Sequence, residues 1–468
     1  MDHTHPLSRI PPEILSLILG YLPYSDFKKH DDDEQPWKAP HLCNARLVCR
    51  QWNALAAQHL FRTIKLLHHP DDDEFSVWNA QVDSQVVQNN ARVAEIHSGP
   101  LDHMRLGEGR DVNDWACWES DDWEEFATAI ERLGDLRGIN EVFVRFSDKC
   151  IGVETTAEES AWEDEHVEKP STRLNTLKHV FVGMWKHREG FGSVEGGITK
   201  LSIENLANHP LEQLVQMDEF ESVVKGIKEL RVSVIEEVSE AHPDSDLYNV
   251  ERTTFEPWLQ SELLPAFMDG LTVLDLGFSN GYWGVAPGTF DGKGLEFPNL
   301  KRLSLRHFVI GHDDGFDWVL RMTGLEKLYL NECFIADYIR IEEKEVREWG
   351  VRTHDWVRVS EGNGFRYEYR GTWEKVFRRM REEMTSLVDF RFAFWEDAPI
   401  FAVPDFRDWE EPGDGRYASR RYVGFYSGMI SPWNIGESDR CETAWDADKN
   451  AFEELVKVTL ERRARTVC

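Results

Sequence analysis

Leu325-Glu326-Lys327-Leu328-Tyr329-Leu330-Asn331-Glu332-Cys333-Phe334-Ile335 is the stretch whose reading decides the fold. It follows L-x-x-L-x-L-x-x-N/C-x-L, with Cys333 in the Asn/Cys place and Ile335 in the last. Leu328 and Leu330 stand two apart, so in a strand both point to one face while Lys327, Tyr329 and Asn331 point to the other. A strand with one buried face needs a cover, and the segments between such stretches supply it. Leu300-Lys301-Arg302-Leu303-Ser304-Leu305 and Leu271-Thr272-Val273-Leu274-Asp275-Leu276 carry the same core of the pattern.

Looser copies are Ile139…Val142-Phe143-Val144, Leu177…Val180-Phe181-Val182, Ile198…Leu201-Ser202-Ile203, Ile227…Leu230-Arg231-Val232 and Leu387…Phe390-Arg391-Phe392. Asp122 to Leu133, Met217 to Lys225, Ser261 to Met268, Asp314 to Met322 and Thr372 to Met384 read as amphipathic helices between them. Gly134, Gly226, Gly270 and Gly324 stand where C-caps are expected. The pattern resembles the leucine-rich repeat, with the best copies about 25 to 29 residues apart and the rest irregular. The expected fold class is α/β, an irregular leucine-rich-repeat-like solenoid with a curved parallel sheet and outer helices. Asp446 to Arg463 is expected as a capping helix. A doubly wound α/β domain is the structural alternative.

Working outward to the N-terminus, Pro11 and Pro12 suit a helix start, and Glu13 favours the first turn. Ile14, Leu15, Ile18, Leu19 and Leu22 recur at three- and four-residue steps, widened by Leu17 and Tyr21. Arg46-Leu47-Val48-Cys49-Arg50-Gln51-Trp52 opens a second apolar helix closed by Leu60 and Phe61. So much apolar surface in a unit of about fifty residues must meet the rest of the chain or a partner. The two halves resemble an F-box, the helical module that docks onto the Skp-type adaptor of a cullin–RING ubiquitin ligase. They are joined by a longer link than usual, Pro23 to Ala45, containing Lys28-Lys29-His30-Asp31-Asp32-Asp33-Glu34. His59-Leu60-Phe61-Arg62-Thr63-Ile64 is similar to the exit found in divergent fungal F-box proteins.

The resemblance implies three regions: residues 7–66 as the F-box-like domain, 67–135 as a helical and loop-rich connection, and 136–468 as the repeat domain that recognises a substrate. It implies adaptor binding through Pro11, Ile14, Leu15, Ile18 and Leu22 on one helix, and Leu47, Val48 and Trp52 on the next. A cullin would follow through the adaptor, and an unidentified protein substrate would sit on the repeats.

Composition narrows the partners. The 468 residues carry 53 basic and 85 acidic side chains, a formal charge of −32. That argues against nucleic acid or an anionic membrane as a partner. No run reaches the roughly twenty apolar residues of a membrane span, and the first residues lack a signal-peptide layout. Seven scattered cysteines fit reduced thiols in the cytoplasm or nucleus.

Catalysis is the competing class. The chain has no GxxxxGK[ST], no GxGxxG after a strand, no HExxH and no GxSxG. No catalytic residue, metal site or cofactor is expected. His68-His69-Pro70-Asp71-Asp72-Asp73-Glu74 has metal-ligand types without metal-ligand spacing, and reads as a solvated loop. Trp115, Trp118, Trp123 and Phe126 among acids read as aromatics packed on the repeats, and Glu158-Glu159 and Glu163-Asp164-Glu165 as an acidic loop. Val357-Arg358-Val359 and Phe365-Arg366-Tyr367-Glu368-Tyr369 around Gly362-Asn363-Gly364 predict a hairpin. Arg416, Tyr417, Arg420, Arg421 and Tyr422 form a basic-aromatic stretch and are the candidate substrate contacts. The functional expectation is a non-enzymatic substrate receptor. Its alternatives are a repeat scaffold whose F-box-like helices merely cap it, and an α/β enzyme of unrecognised motif.

Overall fold

The computed structural model describes residues 10–22, 40–68, 73–98, 122–147, 170–191, 197–236, 250–279, 281–361, 364–393, 421–426 and 436–467. Three N-terminal helices, α1 (Pro12–Gly20), α2 (Pro40–Ala45) and α3 (Arg50–Leu60), precede a large parallel sheet. Its nine strands are β1 (Thr63–Leu67), β2 (Val93–His97), β3 (Glu141–Arg145), β4 (Lys200–Ala207), β5 (Glu229–Ile235), β6 (Val273–Phe278), β7 (Arg302–Arg306), β9 (Lys327–Asn331) and β13 (Asp389–Ala393). They lie side by side in chain order, with no point at which the order reverses.

The register explains why the leucine pattern works. Leu66, Ile96, Val144, Ile203, Val232, Leu276, Leu305, Leu330 and Phe392 stand opposite one another across all nine strands. Ile64, Ala94, Val142, Leu201, Leu230, Leu274, Leu303, Leu328 and Phe390 form a second such ladder on the same face. Both ladders belong to one continuous core. Each strand also begins in the same way. The Arg62 carbonyl accepts from the Arg92 N–H (2.8 Å) and the Val93 N–H (3.0 Å), and the Glu326 carbonyl from Val388 (2.9 Å) and Asp389 (3.1 Å). The carbonyls of Arg92, Asn140, Thr199, Lys228, Thr272 and Lys301 repeat that two-donor arrangement between the strands in between. Backbone groups that would be orphaned at the strand starts are thereby satisfied.

Helices α4 (Asp73–Asp83), α5 (Asp122–Glu131), α6 (Pro170–Phe191), α7 (Asp218–Val224), α8 (Val250–Trp258) and α9 (Trp373–Glu383) lie between strands and bury apolar residues against the ladders. Several expectations are corrected here. Leu177…Val182 is not a strand but the middle of α6, whose buried Leu177, Val180, Phe181 and Met184 have helical spacing. The sheet begins at Thr63 rather than 136, since β1 lies at the end of the region read as F-box-like and β2 in the one read as connection. The expected helix from Ser261 is a π turn (Leu259–Leu263) and a 3-10 turn (Leu264–Phe267) continuing from α8, and that from Asp314 shrinks to Asp317–Leu320. Nor are Gly134, Gly226, Gly270 and Gly324 left-handed caps, for none has positive φ. Gly270 is needed for close approach instead, because a Cβ there would come within 2.7 Å of the Ile227 carbonyl.

A second sheet follows β7 and β9. It comprises β8 (Val309–Ile310), β10 (Phe334–Ile341), the antiparallel hairpin β11 (Trp356–Glu361) and β12 (Gly364–Tyr369), and then β14 (Tyr422–Tyr426) and β15 (Gly436–Glu437). The hairpin is the one expected. The last helix, α10 (Trp445–Val467), covers the end of the large sheet: Phe452 packs on Phe377, Phe390 and Phe392, and Leu455 is buried.

Candidate adaptor-docking surface

The first two residues of α1 set its direction. Pro11 is extended (φ −55°, ψ 141°) at the N-cap, and Pro12 at N1 has no N–H to leave unpaired. The Leu15 N–H then closes the first turn on the Pro11 carbonyl at 3.0 Å. Leu15 and Leu19 face inward and pack with Leu42, Ala45 and Ala56 into a small core separate from that of the sheet, flanked by Ile10, Leu22, Trp52, Leu55 and Leu60. Gly20 lets α1 approach α3, since a Cβ there would meet the His59 ring at 3.1 Å. Ser16 Oγ and His59 Nε2 lie 3.1 Å apart across the same contact. The α2–α3 turn is held by the Leu47 and Val48 N–H groups on the carbonyls of Asn44 and Ala45, and Arg46 reaches Asn53 Oδ1 at 3.0 Å.

What remains outside is the informative part. Ile14 is 48 % exposed, Leu17 61 %, Ile18 47 % and Tyr21 73 %, while Leu47 and Val48 at the turn are 84 % and 55 % exposed. Positions 14, 17, 18 and 21 are one stripe of a helix. Most of the large apolar side chains exposed to this degree among the described residues are in this module. Exposed apolar side chains concentrated in this way make the module the candidate interaction site.

Of the residues expected to meet an adaptor, Ile14, Ile18, Leu47, Val48 and Pro11 are exposed. Leu22 and Trp52 are half-buried against the small core, and Leu15 is inside it. Leu15 therefore holds α1 in place rather than presenting itself. Leu17 and Tyr21, which sequence reading took only as widening the stripe, are among the most exposed.

A family model described as F-box-like matches residues 7–66. The chain carries an N-terminal F-box-like domain. No curated protein matches the chain. F-box domains in general bind Skp-type adaptors, so this F-box-like domain, which carries the exposed stripe and turn, suggests a role in SCF-type adaptor binding.

The candidate substrate contacts fare differently. Arg416, Tyr417 and Arg420 lie outside the described residues. Arg421 and Tyr422 are corrected: both are buried and bind Asp448 of α10. Arg421 Nε and the Tyr422 hydroxyl each donate to Asp448 Oδ2 at 2.8 Å, and Glu374 N–H donates to Oδ1 at 2.8 Å. Burial, and then the Asp448 carboxylate, push the Tyr422 hydroxyl pKa upward. The pair locks the second sheet to the C-terminal helix and is unavailable to a partner.

Of the other stretches considered, Phe126 is buried in the main core, in ring contact with Phe75 and His68. Trp115, Trp118, the Trp123 side chain, residues 69–72 and the acids at 158–165 lie outside the described residues. Among the described residues no group of three or more His, Cys, Asp or Glu could hold a metal ion, and no helix is long and apolar enough to cross a membrane.

Proposed function

We propose that the chain is the substrate-recognition subunit of an SCF-type ubiquitin ligase, working in the cytoplasm or nucleus. The F-box-like domain binds the Skp-type adaptor, and through it a cullin, with Ile14, Leu17, Ile18, Tyr21, Leu47 and Val48. The strands beyond it form a leucine-rich-like solenoid that holds a protein substrate. The observation that carries this reading is the exposed apolar stripe on a module of F-box-like sequence. The regular chain-order sheet, with its repeated two-donor carbonyls, supports the solenoid. Proteins with this module are typically non-enzymatic adaptors, and ubiquitin transfer takes place elsewhere in the assembly.

A cap with no partner would bury its apolar residues, and six large ones here are exposed. The test is co-expression with a Skp-type adaptor followed by size-exclusion chromatography. A one-to-one complex that is lost with Ile14→Asp or Leu47→Asp is expected. A monomer indifferent to the adaptor would leave only a repeat scaffold.

A further inference from the structure

The helical cover of the sheet thins between β4 and β6. The connection from β3 to β4 includes the 22-residue α6, but that from β4 to β5 has only a single turn (Glu212–Val215) and the seven-residue α7. The next connection begins as α8 and meets Pro257, which has no N–H to give to the preceding turn. It then widens into the π turn at Leu259–Leu263, where the Leu264 N–H bonds the Leu259 carbonyl five residues back. Such turns are rare and recur at functional sites. A cavity of about 670 Å³ lies between these short elements, a size suited to a ligand or an inserted side chain.

Its lining joins an apolar wall to acidic side chains. Val215, Trp258 and Ala266 line it together with Glu212, Glu221, Glu262 and one cation, Lys225. Trp258, Glu262 and Ala266 recur at four-residue steps along the widened helix. Lys225 is already engaged, its Nζ lying 2.7 Å from Glu221 Oε1 one helical turn away. Glu212 and Glu262 are exposed and have no ion-pair or hydrogen-bond partner among the described residues. Trp258 is only 6 % exposed, and its buried indole N–H has no acceptor among the described residues. A buried donor left unmade is costly, and native structures seldom keep one. The cavity thus offers two unmatched carboxylates and one unmatched donor beside an apolar wall.

We propose that this cavity takes a basic side chain, arginine or lysine, from an extended segment of the substrate. The aliphatic stem runs along Val215, Trp258 and Ala266, and the cationic head meets Glu212 and Glu262. A main-chain carbonyl of the same segment accepts from the Trp258 indole N–H. This deepens the substrate-receptor reading and rests on it. Charge complementarity selects the occupant. A chain of formal charge −32 draws a basic segment from a distance, and the cavity adds the apolar contact and the directed acceptors that open surface lacks.

The test uses the full chain co-expressed with the adaptor, and a fluorescein-labelled peptide of Arg-Gly-Ser repeats read by anisotropy. The same peptide with citrulline for arginine is the neutral control. Binding of the arginine peptide alone, falling roughly ten-fold in Glu212→Gln/Glu262→Gln, is expected. Ala266→Phe, which fills the cavity without changing its charge, should weaken it to a similar degree. Glu124→Gln/Glu125→Gln removes the same charge from exposed positions of α5 and leaves binding within about two-fold. The proposal is overturned if the citrulline peptide binds as well, or if Glu212→Gln/Glu262→Gln binds like wild type. It is equally overturned if the two double variants weaken binding alike, since general attraction to an acidic chain then accounts for it. The adaptor complex, scored in the same preparation, separates the two ideas. Adaptor binding without peptide binding removes the cavity alone, and peptide binding without the adaptor removes the ligase reading alone.

Discussion

Replacing Leu47 by Ala removes the most exposed large apolar side chain from the surface of the F-box-like domain. Burying a leucine completely is worth about 1.5–3 kcal/mol. Because Leu47 is 84 % exposed in the free chain, nearly all of that would be gained only on docking. The truncation keeps one methyl, so the expected loss is about 2 kcal/mol, or roughly thirty-fold in Kd at 1.4 kcal/mol per decade. Fold stability should move by less than about 0.5 kcal/mol, since the side chain packs on little within the chain. Isothermal titration of the purified adaptor into each variant gives the first quantity, and chemical denaturation the second. Leu19→Ala supplies the contrast: fully buried in the small core, it should cost about 2–5 kcal/mol in stability of that module. An adaptor affinity within two-fold of wild type for Leu47→Ala would refute the proposed face. So would a loss of affinity matched by an equal loss of stability.

Asp448→Ala should destabilise the C-terminal end by about 3–5 kcal/mol, because it removes the buried carboxylate to which Arg421 Nε and the Tyr422 hydroxyl both donate. Hydrogen exchange would show β14 and α10 losing protection together. Burial, with a smaller contribution from Glu236, pushes Glu256 up to about 8 against the Gly284 N–H that holds it down. Its folded pKa exceeds the unfolded 4.5, so its stabilising contribution is complete below 4.5 and is lost as pH rises toward 8. Glu256→Gln should flatten that slope and stabilise the protein at pH 7 by about 1–3 kcal/mol, as read from melts across pH. His97 behaves oppositely. Burial lowers it from 6.5 to about 4 despite Glu95, so stability should fall by about 3 kcal/mol as pH drops through that interval, and His97→Gln should reduce the fall.

The strands around Leu276, Leu305 and Leu330 were legible because a leucine every second residue between polar neighbours has one structural meaning. Leu177 to Val182 fits either period, because Leu177, Val180, Phe181 and Val182 stand at mixed spacing around Lys178 and His179. Only the continuation to Met184 and the full length of α6 decide it. The strands β1 and β2 lack the leucine pattern and pass unnoticed until their register with β3 is seen. In α1 nearly every residue is apolar, so sequence could locate the helix but not say that Leu15 faces in while Leu17 faces out. Arg421 and Tyr422 resemble surface residues in any sequence. Their burial depends on Asp448, far along the chain, and no local pattern announces that partner.

The chain-order sheet bears on how such a protein is made. Every strand of the large sheet from β2 onward pairs with the strand of that sheet that precedes it in the chain. A nascent polypeptide could therefore add each one to an existing edge, without waiting for distant sequence. The F-box-like helices emerge before the sheet is begun. During synthesis the growing edge moves along the molecule, exposed for about the time taken to translate one strand–helix unit, until α10 arrives and covers β13 for good.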